Sequence, residues 1–358
     1  MKLVDVNPYF YPYRGGIENR MHDTSKLLAE RGHDVTVLTS RLPGTEEEEV
    51  TEDGYRILRL KSRFLDIYNP PIVSSEGVLE ALESLDADVV NYNYRWAPSY
   101  TKAVAKYDGK KIFTYHNMWG EGMGLVGRIS EINDNRFRKT LDTFDHIICV
   151  SDYVRNDLIA RGIPAEKTTT VTNGLMSLPE TADEEGDFVL SLGRLVGTKG
   201  LRYLVEAMQK VDTKLIICGK GPEEKRLRKQ ISDLGLENKI EMRGYVSEEE
   251  KGRLMSTCKF FVMPSLFESM GIAAIELLSY GRPIVATDVN GLPDTVGDGG
   301  IIVPSKDPVA LAKAMNELLG DDRRRISLRT AARAHAETYD WKYHIGRLES
   351  LLEDIVSK

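Results

Sequence analysis

The chain alternates short β-branched runs with longer amphipathic stretches, and it does so twice. In the first half the β-branched runs fall at 2–6, 35–39, 55–60, 89–92, 111–115, 147–150 and 169–171, with helical spacing at 18–31, 74–84 and 152–160. In the second half they fall at 188–191, 215–218, 240–243, 260–263 and 284–287, with helical spacing at 201–211, 222–234, 248–257 and 271–280. Such alternation predicts parallel sheets covered by helices on both faces, an α/β class. At 358 residues and 40.3 kDa the chain is long enough for two such domains with full cores. The polar, aperiodic stretch 178–187 is the expected linker. The expected division is therefore 1–177, the linker 178–187, 188–338, and a tail 339–358. Apolar positions Ile345, Leu348, Leu351, Leu352 and Ile355 line one side of that tail, making it a helix that either caps its own domain or crosses back to the first.

Charge and cysteine content narrow the function classes. A net charge of −7 gives no overall field that would draw the chain to nucleic acid. Cys149, Cys218 and Cys258 sit in or beside apolar runs without metal-ligand or disulfide spacing, and read as buried thiols. The first residues already read as a strand rather than a signal peptide, and no run of about 18 apolar residues is present. A cytoplasmic protein is the expectation, with peripheral contact at a membrane left open. The acid run 46–49 reads as a solvated loop.

In parallel α/β domains ligands bind beyond the carboxyl ends of the strands, so chemistry is sought just after them. The segment 264–281 reads P-S-L-F-E-S-M-G-I-A-A-I-E-L-L-S-Y-G and puts Glu268 and Glu276 around a small-residue turn and an apolar helix. A carboxylate there is costly unless donors reach it, and a hydroxyl-rich ligand has them. Gly271 opens the helix, so its free N–H groups are a ready anion site. The segment Gly193-Arg194-Leu195-Val196-Gly197-Thr198-Lys199-Gly200 places two cations around a turn after a strand, a suitable diphosphate clamp. Gly15 and Gly16, after the first strand, allow a close backbone approach. His116 directly follows 111–115, at a ligand-facing strand end. Segment 219–222 has G-x-G after a strand but no third glycine, and reads as a turn. Asp86-Ala87-Asp88 imitates a metal-binding D-x-D, but it precedes its strand and so lies at the wrong end. His22 and His33 lack ligand partners at useful spacing. Segment 117–128 is a lid, a lipid-contacting loop or a packed irregular stretch, and Trp96 either stacks on a sugar or fills core.

Taken together, G-G-I-E at 15–18, Tyr115-His116, Val150-Ser151, Asn173-Gly174, G-R-L-x-x-x-K-G at 193–200, E-x7-E from Glu268 to Glu276, G-R-P-I-V-A-T at 281–287 and Gly291-Leu292-Pro293 resemble the retaining glycosyltransferases of family 4. The likeness covers nearly the whole chain. It implies a GT-B fold: two Rossmann-like domains facing each other across a cleft, an acceptor-binding one and a nucleotide-sugar-binding one. It implies transfer of a hexose from a GDP- or UDP-sugar to a hydroxyl acceptor, a lipid-linked or cell-surface glycan precursor, without cofactor or metal. By resemblance, Arg194 and Lys199 hold the diphosphate, and Glu268 accepts from sugar hydroxyls. The backbone of Ser269, Met270, Gly271 and Ile272 meets sugar and phosphate, and Glu276 holds the ribose. Gly15 and Gly16 approach the diphosphate, His116 lies by the sugar and acceptor, and Arg243, Tyr245 and Val246 surround the base. Asp294 stands where many relatives have glutamate. A nucleotide-sugar epimerase of the same fold and a non-catalytic nucleotide-sugar binder are the alternatives.

Overall fold

The computed structural model describes residues 1–65, 71–122, 124–182 and 184–358. Met123 within 117–128 and Asp183 within the expected linker lie outside the described residues. The chain forms two compact units, Met1–Gly174 with Trp341–Lys358, and Leu175–Asp340.

The first unit holds strands β1 (Lys2–Val6), β2 (Asp34–Ser40), β3 (Glu48–Val50), β4 (Arg56–Leu60), β5 (Ser62–Leu65), β6 (Ile72–Ser75), β7 (Val89–Tyr92), β8 (Lys111–Tyr115), β9 (His146–Cys149) and β10 (Thr168–Thr170). Its helices are α1 (Gly16–Glu30), α2 (Val78–Ser84), α3 (Pro98–Lys106), α4 (Leu125–Leu141) and α5 (Asp152–Ala160). The main sheet runs β10-β9-β8-β7-β1-β2-β4-β3, parallel except for β3, and β5 and β6 form a separate antiparallel pair. Strand order reverses between β1 and β7, so the carboxyl ends of those two strands flank the switch point where α/β folds place ligands.

The second unit holds β11 (Phe188–Leu192), β12 (Lys214–Cys218), β13 (Ile240–Gly244), β14 (Phe261–Met263), β15 (Ile284–Thr287) and β16 (Gly300–Val303). Its helices are α6 (Leu201–Ala207), α7 (Glu224–Asp233), α8 (Glu248–Thr257), α9 (Ile272–Ser279), α10 (Leu292–Val296), α11 (Pro308–Gly320) and α12 (Asp322–Glu337). The order β13-β12-β11-β14-β15-β16 is parallel throughout, with its switch between β11 and β14. Alternation along β11 and β12 shows why both faces must be covered. Val189, Leu215 and Ile217 pack with Leu204, Leu227 and Met315 on one face, while Phe188, Leu190, Ile216 and Cys218 pack with Leu254, Leu277 and Ala332 on the other.

The last helix, α13 (Trp341–Ser357), belongs to the first unit. Its Ile345, Leu348, Leu352 and Ile355 join Leu3, Met21, Leu28 and Val35 in one core. Trp341 is buried, its indole lying against Gly174 and under the Arg20 guanidinium, 5.3 Å away.

Several expectations change. The first boundary falls at Gly174 rather than 177, because the Leu175 N–H donates to the Tyr339 carbonyl (2.8 Å) and Leu175 bridges to Asp340. The stretch 178–187 belongs to the second unit. Its Glu185 carboxylate takes Arg282, Arg325 and Arg329, and the Ala182 and Glu184 carbonyls accept from Arg282. The helix expected over 74–84 is shortened to α2: Gly77, at φ 71°, turns the chain between β6 and α2. The acid run ends in β3, an edge strand with exposed side chains in which Glu49 pairs with Arg59 (2.7 Å). All three cysteines are buried free thiols.

Candidate active site

The second unit's switch point gathers most of the expected residues. The turn after β11 and the turn after β14 are stitched together: the Leu266 N–H donates to the Thr198 carbonyl (2.7 Å), and Gly200, at φ 63°, lies so close to the Pro264 carbonyl that a Cβ would sit 2.0 Å from its oxygen. Any other residue at 200 would push the two turns apart. Between them lies a pocket lined by Ser191, Gly193, Arg194, Lys199, Met263 and Ser265, among others. Neighbouring glycines keep this floor thin, since a Cβ on Gly219 would meet the Gly193 oxygen at 1.8 Å.

Charges at this site are distributed differently from the expectation of two free cations and two acids awaiting hydroxyls. Lys199 Nζ is hydrogen-bonded to Glu268 Oε2. Glu276 Oε2, on α9, is 2.8 Å from Lys251 Nζ on α8. Opposite charges held this close in half-buried surroundings satisfy one another, so each carboxylate already has a donor. Burial pulls the Lys251 ammonium towards the neutral form, but the Glu276 charge and hydrogen bond outweigh it and hold its pKa above the ordinary lysine value. Arg194 is different. It is exposed and has no side-chain hydrogen bond or ion pair among the described residues, which makes its guanidinium the readily available anion partner. Lys199 keeps two further N–H donors beyond the one given to Glu268.

Two residues were not singled out by the sequence. Ser265 is fully buried, lines the pocket, and its Oγ has no hydrogen-bond partner among the described residues. Buried hydroxyls normally find one, so this oxygen is a candidate ligand contact. Its signal lay in the strand-end position after β14, one residue past Pro264. Lys251 gave no local signal, because α8 meets α9 only through the fold.

Among the backbone candidates, Gly271 has φ 89° and caps α9 with no side-chain hydrogen bond. Met270 is buried, its carbonyl accepting from Thr295 Oγ1 (2.5 Å); Ile272 is half-buried and Ser269 is already engaged in contacts. Arg243 is paired with Glu241 (2.5 Å) and Glu250, while Tyr245 is 73% exposed and Val246 packs against the α8–α9 side of the core. A ring that exposed has a free face for stacking. Asp294 is exposed in the first turn of α10.

In the first unit, Gly15 caps α1 and Gly16 is its first residue. The Glu18 carboxylate curls back so that a Cβ on Gly15 would meet its Oε2 at 2.5 Å, and Asn7 Nδ2 donates to the same carboxylate at 3.0 Å. An acid at a helix start suits the dipole. His116 follows β8, and its Nε2 is 2.9 Å from Asn93 Oδ1. Burial, then the charges of Arg20 and Arg95, hold its pKa well below the ordinary histidine value, so the ring is neutral. Segment 117–120 is packed rather than loose. Arg95 Nε is 2.5 Å from buried Asp134 Oδ1, Arg95 also donates to the Met118 carbonyl, and the Gly120 N–H donates to Asp134. Residues 125–128 open α4, and Trp96 is exposed. Asp88 accepts from the Lys2 N–H (2.6 Å) and Asp86 faces the Lys2 ammonium, tying both acids to the amino end of β1. Glu349 and Glu353 of α13 reach His33, a cluster invisible in sequence, but Glu349 is already hydrogen-bonded to His33 (2.7 Å) and Arg31 (2.8 Å).

Comparison with known proteins agrees with this architecture. The profile "Glycosyltransferase Family 4" matches residues 14–175 and "Glycosyl transferases group 1" matches 178–335. The chain belongs to glycosyltransferase family 4. It is 27% identical over 374 residues to a phosphatidyl-myo-inositol mannosyltransferase from Mycobacterium leprae, covering 100% of this chain and 98% of that protein. Among solved structures it is similar to sucrose-phosphate synthase from Thermosynechococcus elongatus (TM-score 0.85, 20% identity, 99% of each chain). It is also similar to Anabaena HepE in complex with UDP and glucose (TM-score 0.78, 20% identity, 99% of this chain and 100% of that one). Its two Rossmann-like units are those of the GT-B glycosyltransferases. As a family 4 glycosyltransferase the chain is an enzyme. Its pocket at the β11/β14 switch lies within the segment matched by the group 1 profile.

Proposed function

We propose that this glycosyltransferase moves a hexose from a GDP- or UDP-hexose to a hydroxyl of a glycan or lipid-linked acceptor, with retention of anomeric configuration and without a metal ion. The observation that carries the reading is the pocket at the β11/β14 switch, where the unpaired Arg194 cation, the Lys199–Glu268 pair and the unpartnered Ser265 hydroxyl converge. A nucleoside diphosphate sugar matches that set: phosphate oxygens for Arg194 and Lys199, hydroxyls for Glu268. Glu276 takes the ribose with the carboxylate oxygen that Lys251 leaves free. Domain roles follow the family, with the acceptor on the first unit.

As the C1–O bond breaks, its electron pair leaves with the diphosphate and the sugar becomes oxocarbenium-like. The acceptor oxygen attacks C1 from the same face and its proton passes to the departing phosphate oxygen. Arg194, Lys199 and the Gly271 helix start stabilise the charge that grows there more than the charge present at the outset, which is what accelerates the step. Metal-free chemistry is supported by the attachment of Asp86 and Asp88 to Lys2, at the strand end opposite to the ligand.

Peripheral membrane contact is supported by α4. Its inner face is Ser130, Asp134, Phe137 and Leu141, while Ile129 and Ile132 are exposed beside the exposed cations Arg128, Arg136 and Lys139. An apolar row flanked by cations suits an anionic bilayer surface. No helix among the described residues is long and apolar enough to cross a membrane.

A thermal-shift screen over GDP, UDP and their glucose and mannose conjugates tests the donor. A ligand at 100 times its Kd adds about 2.7 kcal/mol, so the true donor stands out. NMR of the product anomer then tests retention. An inverted product, or no response to any nucleotide sugar, refutes the proposal.

A further inference from the structure

Asn93 follows β7 at the first unit's switch point and is 3% exposed. Its Nδ2 lies 2.5 Å from Asp5 Oδ1 and 3.3 Å from the Val6 carbonyl oxygen. A backbone carbonyl only accepts, so the amide atom facing it is the NH2 group. That fixes the other end: Oδ1 faces His116 Nε2, and an amide oxygen also only accepts. Nε2 therefore carries a hydrogen. A neutral imidazole has one N–H, so Nδ1 keeps its lone pair, and Nδ1 has no hydrogen-bond partner among the described residues. Asp5 is held from its other side as well. Asn91 Nδ2 donates to the same Oδ1 (2.9 Å), and Thr114 Oγ1 donates to Asn91 Oδ1 (2.8 Å). The cations facing this network are Arg20 on α1 and Arg95 after β7, and both oppose a second proton on the ring.

We propose that Asp5 and Asn93 are positioning residues that lock His116 as the Nε2–H tautomer, making Nδ1 an obligate acceptor for a sugar hydroxyl. The chain of contacts runs across three adjacent strands, Asp5 on β1, Asn93 after β7 and His116 after β8. The lock is a property of these residues alone; its use on substrate rests on the proposed place of His116 beside the sugar. The site then selects for a group that donates at this position and disfavours a deoxy or fluoro analogue, which leaves the lone pair unmatched.

Nitrogen-15 NMR of the histidine rings in the wild-type protein reads the lock directly. The expected spectrum shows His116 with hydrogen on Nε2, bare Nδ1, and no protonation through the ordinary histidine range. An Nδ1–H tautomer, or titration near the ordinary value, overturns the lock. Kinetics reads its use. Asn93→Ala frees the ring and is expected to lower kcat/KM by about tenfold, while adding nothing further in a His116→Ala background. A merely structural role for Asn93 predicts the same loss in both backgrounds, which overturns the proposal. Full activity of His116→Ala with the tautomer as stated overturns the substrate contact and not the lock, and it leaves the donor assignment at the second unit standing.

Discussion

Replacing Arg194 by alanine separates catalysis from folding more cleanly than any other change at the site. The side chain is exposed and makes no hydrogen bond or ion pair among the described residues, so its removal falls in the class of surface substitutions that change stability by about 0.5 kcal/mol or less. Its contribution comes only when charge develops on the leaving diphosphate. Loss of one preorganised donor to such a group costs about 2.7–4 kcal/mol at the transition state, a factor of about 10²–10³ in rate. Lysine 199 does not offer the same separation, because its removal also strips Glu268 of its partner. The assay pairs release of nucleoside diphosphate from the donor identified by thermal shift with urea unfolding of the same preparations. Unchanged unfolding with turnover reduced 100-fold or more is expected. Near-normal turnover, or an activity loss matched by a large loss of stability, refutes the reasoning.

Three further outcomes are expected. Glu185→Ala leaves Arg282, Arg325 and Arg329 without their shared carboxylate, with Arg282 fully buried; removal of one member of a buried pair costs about 3–5 kcal/mol, readable as a lowered urea midpoint. Burial, opposed by Asn93, Asn91 and Arg20, pushes the Asp5 carboxyl from 3.8 up to about 7. The folded chain then keeps a proton that the unfolded chain loses, and this group's contribution to stability falls as pH rises from about 4 to 7. Asp5→Asn removes the ionisation, so its stability relative to wild type improves across that window, by up to about 4 kcal/mol; an equal difference at both ends of the window contradicts the assignment. Replacing Ile129 and Ile132 together by serine abolishes sedimentation with anionic vesicles while leaving the melting temperature in place, since both side chains are already exposed.

Much of the architecture was legible because parallel α/β sequence is periodic at two scales. The runs at 2–6, 89–92, 111–115 and 284–287 became strands with the same bounds, since residues buried on both faces leave continuous apolar stretches. Helices that rely on distant partners were not legible. Helix α4 begins after glycines and hides Asp134 on its inner face, where Arg95 and the Gly120 N–H, both distant in sequence, make the acid acceptable. Helix α12 is strongly charged and docks through Arg325 and Arg329 on Glu185, a residue of what reads locally as a linker.

The candidate site divides the same way. Local sequence determined that Arg194, Lys199, Gly271, Glu268 and His116 stand just beyond strands or at a helix start, because turn glycines and strand ends are written in neighbouring residues. Tertiary structure alone decided which charges are free. Lys199 reaches Glu268 and Lys251 reaches Glu276 only once β11 lies beside β14 and α8 approaches α9, and that pairing leaves Arg194 as the pocket-lining cation without an ion pair among the described residues. It also decided that Asn93, pinned by Asp5 and the Val6 carbonyl, turns its amide oxygen to His116 Nε2. A hydrogen bond acts over about 3 Å, and these partners are far apart along the chain, so only the folded sheet brings them within that reach.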